Sequence, residues 1–359
     1  MLISSEKKLK MKSNVKNNLI KDLHEKLKEF FHTDHFTLEP MEGGASVRKY
    51  FILHFKQNNR FPSSTVILMF VPQDRIDIAD NYYNISRYFD RMNISHPQLY
   101  EIHREQGWVF VQHAIGHRLD LYLQNAHDDE ISVIYHRLVD FLVDMQSKAQ
   151  VDNRCWAFSR FFDAEKYQFE FSFHVNEQLI ENYFQKKLSP VEKDIFRKAA
   201  QEISTFLDNH LPVFVHRDFQ SSNIFYDPSA TCNYFQIIDF QDARSGGPMY
   251  DLVALLWDSY FSLSPDLQLE LTQKFYHSHP QVKKNFSPTT YQQTIDYTVI
   301  QRKLHDAGAF VFSYRLTGND RYLKYIAPAI QMAIDRMESY PGLYPFKELL
   351  LSTLVENNA

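Results

Sequence analysis

The spacing of hydrophobic and polar positions changes along the chain and separates it into two parts. Apolar residues recur at helical spacing over Leu19–Phe31, with lysine and glutamate between them, which predicts an amphipathic helix. Over residues 45–55 the period becomes two, which is typical of a strand. A second apolar run, Val66–Val71, completes a predicted β-hairpin, and the pair Gly43-Gly44 leads into it.

The pattern stays mixed as far as residue 113 and becomes mainly helical after Gly116. A capping box, Ser189-Pro190-Val191-Glu192, marks the start of one of the later helices. The further predicted elements are a helix over 77–92, a strand over 108–112, helices over 131–145, 163–185 and 189–210, two β segments at 214–215 and 234–238, and helices from about 250 onward. The fold class predicted is therefore α+β, with a small mixed lobe followed by a larger helical lobe.

Composition limits the classes of function. The chain has 359 residues, 44% of them hydrophobic and 23% charged, which suits a globular protein of two lobes. The net charge of −5 argues against a nucleic-acid-coating protein, and no apolar run is long enough for a membrane span or a secretory signal. Cys155 and Cys232 have no metal-ligand spacing and suit a reducing compartment. We expect a cytoplasmic protein with no nucleic-acid, membrane or obligate protein partner.

Polar residues in a fixed order follow two short apolar segments. His216, Asp218 and Asn223 come after the first segment with the spacing H-x-D-x-x-x-x-N. Asp239 ends the second segment, sixteen residues after Asn223. Three turn-capping residues could give the same order by accident, but the full order is much rarer by chance than an H-x-D alone.

Phosphoryl transfer requires residues of these types. A carboxylate on a rigid loop, here Asp218, can align an acceptor hydroxyl and take its proton. Mg²⁺ neutralises a triphosphate and prefers oxygen ligands, which the amide of Asn223 and the carboxylate of Asp239 can supply. The sequence therefore predicts a kinase that uses ATP and Mg²⁺.

The residues that follow Asp239 distinguish between classes of kinase. They read Asp-Phe-Gln where protein kinases have Asp-Phe-Gly, and neither an Ala-Pro-Glu motif nor a G-x-G-x-x-G loop is present. The short path to Tyr250-Asp251-Leu252 instead resembles the aminoglycoside phosphotransferase and choline kinase superfamily. The resemblance implies a two-lobed protein-kinase-like fold that binds MgATP in its cleft and phosphorylates a small molecule. It also implies that His216 and Asp251 support the catalytic loop.

More narrowly, the chain resembles the bacterial cell-wall amino-sugar kinases, which phosphorylate N-acetylmuramic acid and N-acetylglucosamine at the anomeric hydroxyl in peptidoglycan recycling. The matching segments are Gly44–Phe51, Phe162–Tyr167, His216–Asn223, Asp239–Leu252 and Gln301–Leu304. The resemblance implies an N-acetylated amino sugar as the acceptor. On this basis we predict a mobile basic tail (1–18), a nucleotide-binding N-lobe (19–113) and a helical C-lobe for catalysis and acceptor binding (114–359).

The nucleotide site departs from the usual kinase pattern, because the apolar run Val66–Val71 carries no lysine to hold the phosphates. We hypothesise that Arg48 or Lys49 supplies this charge, although either could be an ordinary solvent-facing residue of a strand. The missing lysine also keeps a nucleotide-binding pseudokinase open as an alternative. The candidate contacts to the adenine lie in the segment between the lobes and are Gln112, His113 and Ile115.

The acceptor site is only weakly indicated by the sequence. The candidates follow the catalytic loop or lie on later helices, and they are Gln220, Asp242, Arg244 and Arg302, with Glu170, Trp257 and Gln301 as further possibilities. Arg244 or Arg302 could bind the carboxylate of a muramic acid, but a structural ion pair is the alternative for each. The acceptor itself could also be an aminoglycoside, a choline-like alcohol or another sugar.

Overall fold

The computed structural model describes residues 19–41, 47–57, 60–208 and 212–356. The predicted basic tail and the Gly43-Gly44 pair lie outside these residues. The described residues divide into two compact units, one over 19–83 and 97–114 and the other over 84–96 and 115–356. The first contains a sheet and the second is mostly helical, which confirms the α+β fold class.

The first unit is built on a five-stranded antiparallel sheet with strand order β1-β2-β3-β5-β4. The strands are β1 (Phe36–Pro40), β2 (Lys49–Phe55), β3 (Thr65–Phe70), β4 (Leu99–His103) and β5 (Trp108–Gln112). The predicted hairpin is confirmed as β2 and β3, in which Phe51 lies opposite Leu68. The outer strands β1 and β4 were not predicted.

One face of this sheet is covered by the predicted amphipathic helix, α1 (19–31). Leu23 and Leu27 of the helix are buried against Phe51 and Leu53 of β2, in a cluster that also contains Phe110. The helical spacing of the leucines places them on one side of α1, and the period-two pattern of β2 places its phenylalanine and leucine on one side of the strand. Removal of these apolar faces from water stabilises the unit.

The second unit is mostly helical, and the boundary between the units falls within α2, whose C-terminal part belongs to the second unit. The helices are α2 (Asp77–Met92), α3 (Leu119–Tyr122), α4 (Asp128–Lys148), α5 (Ala164–Glu170), α6 (Pro190–Asp208), α7 (Met249–Leu256), α8 (Pro265–Ser278), α9 (Pro280–Asn285), α10 (Pro288–Thr317), α11 (Ile326–Met337) and α12 (Tyr344–Glu356). The capping box is confirmed at α6, where Ser189 and Glu192 each accept the backbone N–H of the other. No helix in the described part of the chain has the length and apolarity that a membrane span requires.

The helix predicted over 163–185 changes its geometry midway. It begins as α5, whose cap is Asp163, and continues as a π-helix over Phe171–Tyr183. Helix α10 packs against this π-helix at Gly308, where a Cβ atom would lie 1.9 Å from the carbonyl oxygen of His174. A glycine is therefore required at this position for the two backbones to approach so closely.

Two small sheets in the second unit position the polar residues of the predicted motif. Strand β7 (Val213–Val215) pairs with β10 (Arg244–Gly246), and the chain enters the motif directly after β7. A second sheet, in the order β6-β8-β9, contains β6 (His117–Arg118), β8 (Ile224–Tyr226) and β9 (Phe235–Ile237). The predicted β segments are thus confirmed in part, while β6, β8 and β10 were not predicted.

We predict that Gly308→Ala destabilises the protein, although alanine is the better helix former by about 1 kcal/mol. The added methyl group would collide with the His174 carbonyl, and overpacking of this kind costs about 1–3 kcal/mol. The free energy of unfolding, measured by chemical denaturation, should therefore fall. Gly342→Ala is the control, because its Cβ would meet only the side-chain end of Glu202, and its effect should stay within about 0.5 kcal/mol. A more stable Gly308→Ala variant would contradict the close packing of α10.

Candidate active site

The predicted catalytic loop starts with an unusual backbone conformation. Arg217 has a positive φ of 82°, a value that non-glycine residues rarely adopt. The side chain of Asp251, which is fully buried on α7, accepts the backbone N–H of His216 at 2.7 Å and that of Arg217 at 2.9 Å. Burial raises the pKa of Asp251 to about 7, although these two N–H donors and Arg302 lower it. Asp251 therefore holds the backbone of the first two residues of the loop.

His216 connects this loop to the strand that precedes Asp239. Its Nδ1 accepts the backbone N–H of Asp218 at 3.3 Å, and its Nε2 lies 3.0 Å from the carbonyl oxygen of Ile238. Because Nδ1 is an acceptor, the proton lies on Nε2, which donates to Ile238. Burial lowers the pKa of His216, so the ring is held in this neutral form.

The structure also brings Asn223 and Asp239 to the loop. The amide nitrogen of Asn223 donates to the carbonyl oxygen of Asp218 at 3.0 Å, which fixes the orientation of the amide group. The backbone N–H of Ile238 donates to the carbonyl oxygen of Asn223, and Asp239 follows with a positive φ of 66°. The predicted trio therefore lies on two adjacent segments joined by direct hydrogen bonds.

The oxygen atoms of Asn223 and Asp239 fit a magnesium ion. Mg²⁺ is usually held by one or two carboxylates with phosphates and water, so a complete protein cage is not required. Accordingly, no group of three or more histidine, cysteine, aspartate or glutamate side chains in the described residues has the arrangement of a metal site. The orientation of the Asn223 amide, with its nitrogen bound to the loop, suits its oxygen for a cation.

Arg302 has a different place from the acceptor contact that the sequence suggested. It is only 2% exposed and lies beneath the catalytic loop. Its guanidinium donates to the carbonyl oxygen of Arg217 and lies 3.1 Å from Oδ1 of Asp218. On its other side, Nε lies 3.0 Å from Asp306. The guanidinium therefore makes the structural ion pairs that were the alternative for this residue, and it holds Asp218 in position.

A second buried carboxylate, which the sequence analysis missed, holds the next turn of the loop. Asp258 is 2% exposed, and its Oδ2 accepts both the backbone N–H and the hydroxyl of Ser221. Its Oδ1 accepts the backbone N–H of Tyr260 at 2.8 Å. Asp258 lies seven residues after Asp251, just beyond the end of α7. This position was the feature of the sequence that could have identified Asp258 as a second support of the loop.

The other acceptor candidates fall into two groups. Gln220 belongs to the catalytic loop itself, and its side-chain oxygen lies 3.4 Å from Nη2 of Arg302. Asp242 and Arg244 follow Asp239, and Gln241 donates to both Asp239 and Asp242. Gln301 points instead to the fully buried Glu170, to whose Oε2 it donates at 2.8 Å. Trp257 is buried beneath Arg336, which does not suit a contact with an acceptor.

The nucleotide candidates are placed mostly on the sheet of the first unit. Lys49 is exposed and shares a face of β2 with Phe51, the face that α1 covers. Arg48 lies beside Tyr50, with its guanidinium carbon 5.9 Å from the ring centre, and Tyr50 is opposite Met69 of β3. Arg48 therefore belongs to the sheet face that α1 does not cover.

The segment predicted to meet adenine is already hydrogen-bonded in part. The side chain of Gln112 accepts the backbone N–H of Gln98, and Nδ1 of His113 lies 3.1 Å from the carbonyl oxygen of Ala114. The backbone N–H of Ile115 donates to the side chain of Gln236 at 2.8 Å. The Ile115 amide therefore has an acceptor within the chain.

Comparison with known proteins agrees with the chemistry of this site. A family model described as "Phosphotransferase enzyme family" matches residues 37–285. This range covers more than half of the chain, and the chain belongs to that family. It is therefore a phosphotransferase, of the small-molecule kinase type.

One curated relative is the N-acetylmuramate/N-acetylglucosamine kinase of Neisseria meningitidis serogroup B (strain ATCC BAA-335 / MC58). It is 24% identical to this chain over 336 residues, which are 91% of this chain and 94% of the relative. The similarity confirms the resemblance to the amino-sugar kinases that the sequence motifs indicated.

Solved structures show the same fold. The choline kinase LicA from Streptococcus pneumoniae matches with a TM-score of 0.60 and 16% identity over 89% of this chain and 99% of its own. The ADP-bound aminoglycoside phosphotransferase APH(2'')-Ib matches with a TM-score of 0.60 and 14% identity, over 88% and 98%. These similarities confirm the expected kinase-like fold.

We predict that Asp251→Asn lowers both stability and phosphotransfer. The amide offers one oxygen where two N–H donors require acceptors, and hydrogen bonds to charged groups contribute about 1.5–3 kcal/mol. The free energy of unfolding, measured by chemical denaturation, should fall by about 1–3 kcal/mol, the cost of leaving one buried N–H without an acceptor. Asp194→Asn, at an exposed ion pair on α6, should change it by less than about 1 kcal/mol. Equal effects of the two substitutions would show that Asp251 does not hold the loop.

Proposed function

We propose that this phosphotransferase moves the γ-phosphate of ATP to a hydroxyl of an N-acetylated amino sugar, with Mg²⁺ bound. The observation that carries the proposal is the hydrogen-bonded arrangement of Asp218, Asn223 and Asp239 on two adjacent segments. Carboxylate and amide groups in this order suit alignment of a hydroxyl and binding of a cation. Solved relatives bound to ATP and ADP support a nucleotide donor.

Asp218 is proposed to orient the acceptor hydroxyl and accept its proton as the oxygen–phosphorus bond forms and the bond to ADP breaks. Arg302 lies 3.1 Å from Oδ1 of Asp218, which fixes the direction of the carboxylate. Asn223 and Asp239 would hold Mg²⁺, which neutralises the charge of the phosphate oxygens. The chain's own contribution is therefore mainly to position charged groups.

The acceptor class is supported by the curated relative, whose name gives N-acetylmuramate and N-acetylglucosamine. That relative matches over 91% of this chain and 94% of its own length. We propose that 19–113 binds the nucleotide and that 114–359 carries catalysis and the acceptor. We also propose a role in peptidoglycan recycling in the cytoplasm, where ATP is present and the thiols Cys155 and Cys232 stay reduced.

We predict that the wild-type protein releases ADP faster with N-acetylmuramate or N-acetylglucosamine than with aminoglycosides or amino alcohols. Asp218→Ala should lower kcat roughly 10²–10⁴-fold, the usual contribution of a positioned acid or base. A coupled ADP-release assay across the acceptor panel measures both effects. Asp227→Asn, in the turn after β8, is the control and should keep wild-type turnover. Near-wild-type kcat in Asp218→Ala would refute the catalytic assignment.

We predict that Arg48 supplies the charge that β3 lacks. Arg48 lies next to Tyr50 on the sheet face of Met69, whereas Lys49 is on the opposite face. Arg48→Ala should raise the KM for ATP roughly tenfold, the loss of one charge-assisted contact. Lys49→Ala should leave it nearly unchanged, as should the control Lys56→Ala at the exposed end of β2. An unchanged KM for ATP in the Arg48/Lys49 double variant would reject the hypothesis for both residues.

A further inference from the structure

A cluster of charged side chains surrounds Glu170 and adjoins the catalytic loop. Glu170 is fully buried, and its Oε1 lies 3.1 Å from Nζ of Lys166 and 3.7 Å from Nη2 of Arg217. The side chains of Lys166 and Arg217 are 19% and 18% exposed, so solvent reaches the cluster. Arg244 completes the cluster from strand β10, which pairs with the strand that leads into the loop. We call Lys166, Arg217 and Arg244 the cation cluster.

The cation cluster holds more positive charge than its carboxylates balance. Glu170 and Asp242 are the carboxylates that influence both arginines, while Asp218, which also attracts Arg217, is itself paired with Arg302. In the described residues, Arg244 makes no ion pair within 4.0 Å, and the buried Nε atoms of Arg217 and Arg244 have no hydrogen-bond partner. Burying a cation without a partner is unfavourable, so an arrangement of this kind fits a bound anion.

The ionisation behaviour of the cluster agrees with its geometry. Burial lowers the pKa of Lys166, and the nearby Arg217 and Arg244 lower it further. Burial also lowers the pKa of Arg244, with Arg217 and Arg160 contributing. A structural ion pair with balanced charges would not place cations where they repel one another. An anion between them would remove this repulsion.

The position of the cluster distinguishes it from the proposed metal site. Asn223 directly precedes β8 and Asp239 follows β9, whereas the cation cluster comes from α5, the loop itself and β10. Arg217 directly precedes Asp218, so an anionic group bound by the cluster lies close to the group that aligns the acceptor hydroxyl.

We propose that the cation cluster binds a carboxylate of the acceptor and makes the enzyme selective for acidic over neutral and cationic acceptors. This inference rests on the proposed function, because it assigns a subsite to the same acceptor. The guanidinium groups of Arg217 and Arg244 can each donate two hydrogen bonds to a carboxylate. Lys166 adds a third charge, and Glu170 holds Lys166 and Arg217 in place. A polycationic acceptor is repelled by the same charges.

The test compares acceptors that differ in the carboxylate. N-acetylmuramate carries a lactyl carboxylate that N-acetylglucosamine lacks, and the methyl ester of N-acetylmuramate keeps the size but removes the charge. Arg244→Gln and, separately, Lys166→Gln should raise the KM for N-acetylmuramate roughly tenfold or more. The KM values for N-acetylglucosamine, for the methyl ester and for ATP should stay within about twofold, because none of them requires the cluster. Lys198→Gln, an exposed cation on α6, is the control for lost net charge.

The outcomes separate this inference from the proposed function. An equal rise of KM for all three sugars would overturn the inference. A rise of KM for ATP would also overturn it, because the cluster would then bind the transferred phosphate. If neither sugar accepts phosphate, the proposed function fails, and calorimetric titration of N-acetylmuramate and its methyl ester decides the inference alone. Tighter binding of the acid to wild type, lost in Arg244→Gln, supports it. Equal binding of acid and ester rejects it.

Discussion

The carboxylate of Asp251 accepts the backbone N–H groups of His216 and Arg217, and the conformation of the catalytic loop depends on these two hydrogen bonds. The left-handed backbone of Arg217 costs about 1–3 kcal/mol at a non-glycine residue. It persists because Asp251 holds it from one side and Arg302 binds its carbonyl oxygen from the other. Asp218 directly follows this turn, so Asp251 and Arg302 fix the backbone from which its side chain projects.

The buried charged residues beneath the catalytic loop fix its geometry, and they contribute less to the stability of the protein. Arg302, Lys303 and Asp306 form a network in which both cations contact the same carboxylate, at 3.0 and 2.6 Å. Burial alone would raise the pKa of Asp306, but Arg302 and Lys303 hold it well below its usual value. Buried ion pairs are weak evidence for stability, because desolvation offsets much of their attraction. We therefore interpret this network as the support that keeps the Arg302 guanidinium against Asp218.

The sequence predicts those parts of the site that short-range spacing determines. The order of Asp218, Asn223 and Asp239 reflects one loop and one strand end, and the structure joins them as expected. Contacts between residues far apart in the sequence were harder to predict. Arg302 and Asp218 are 84 positions apart, and Gln301 and Glu170 are 131 positions apart. Nothing in either local pattern distinguishes a buried brace from an exposed ligand contact. Strand β4 was missed for a similar reason, since all its residues are half-buried and its pattern shows no alternation.

The distribution of charge around Asp218 separates two tasks of a kinase. The residue before β8 and the segment after β9 contribute oxygen atoms, which suit a cation, whereas α5 and β10 contribute cations, which suit an anion. The transferred phosphoryl group and an acidic acceptor are both negatively charged. Each therefore requires its own positive charge, a metal ion for the phosphoryl group and side-chain cations on separate elements for the acceptor. Glu170 takes part in this arrangement, because its buried carboxylate holds Lys166 and Arg217 without neutralising the whole cluster. Membership of the phosphotransferase family accounts for the transfer chemistry, and we propose that the charges on α5 and β10 decide which acceptor is admitted.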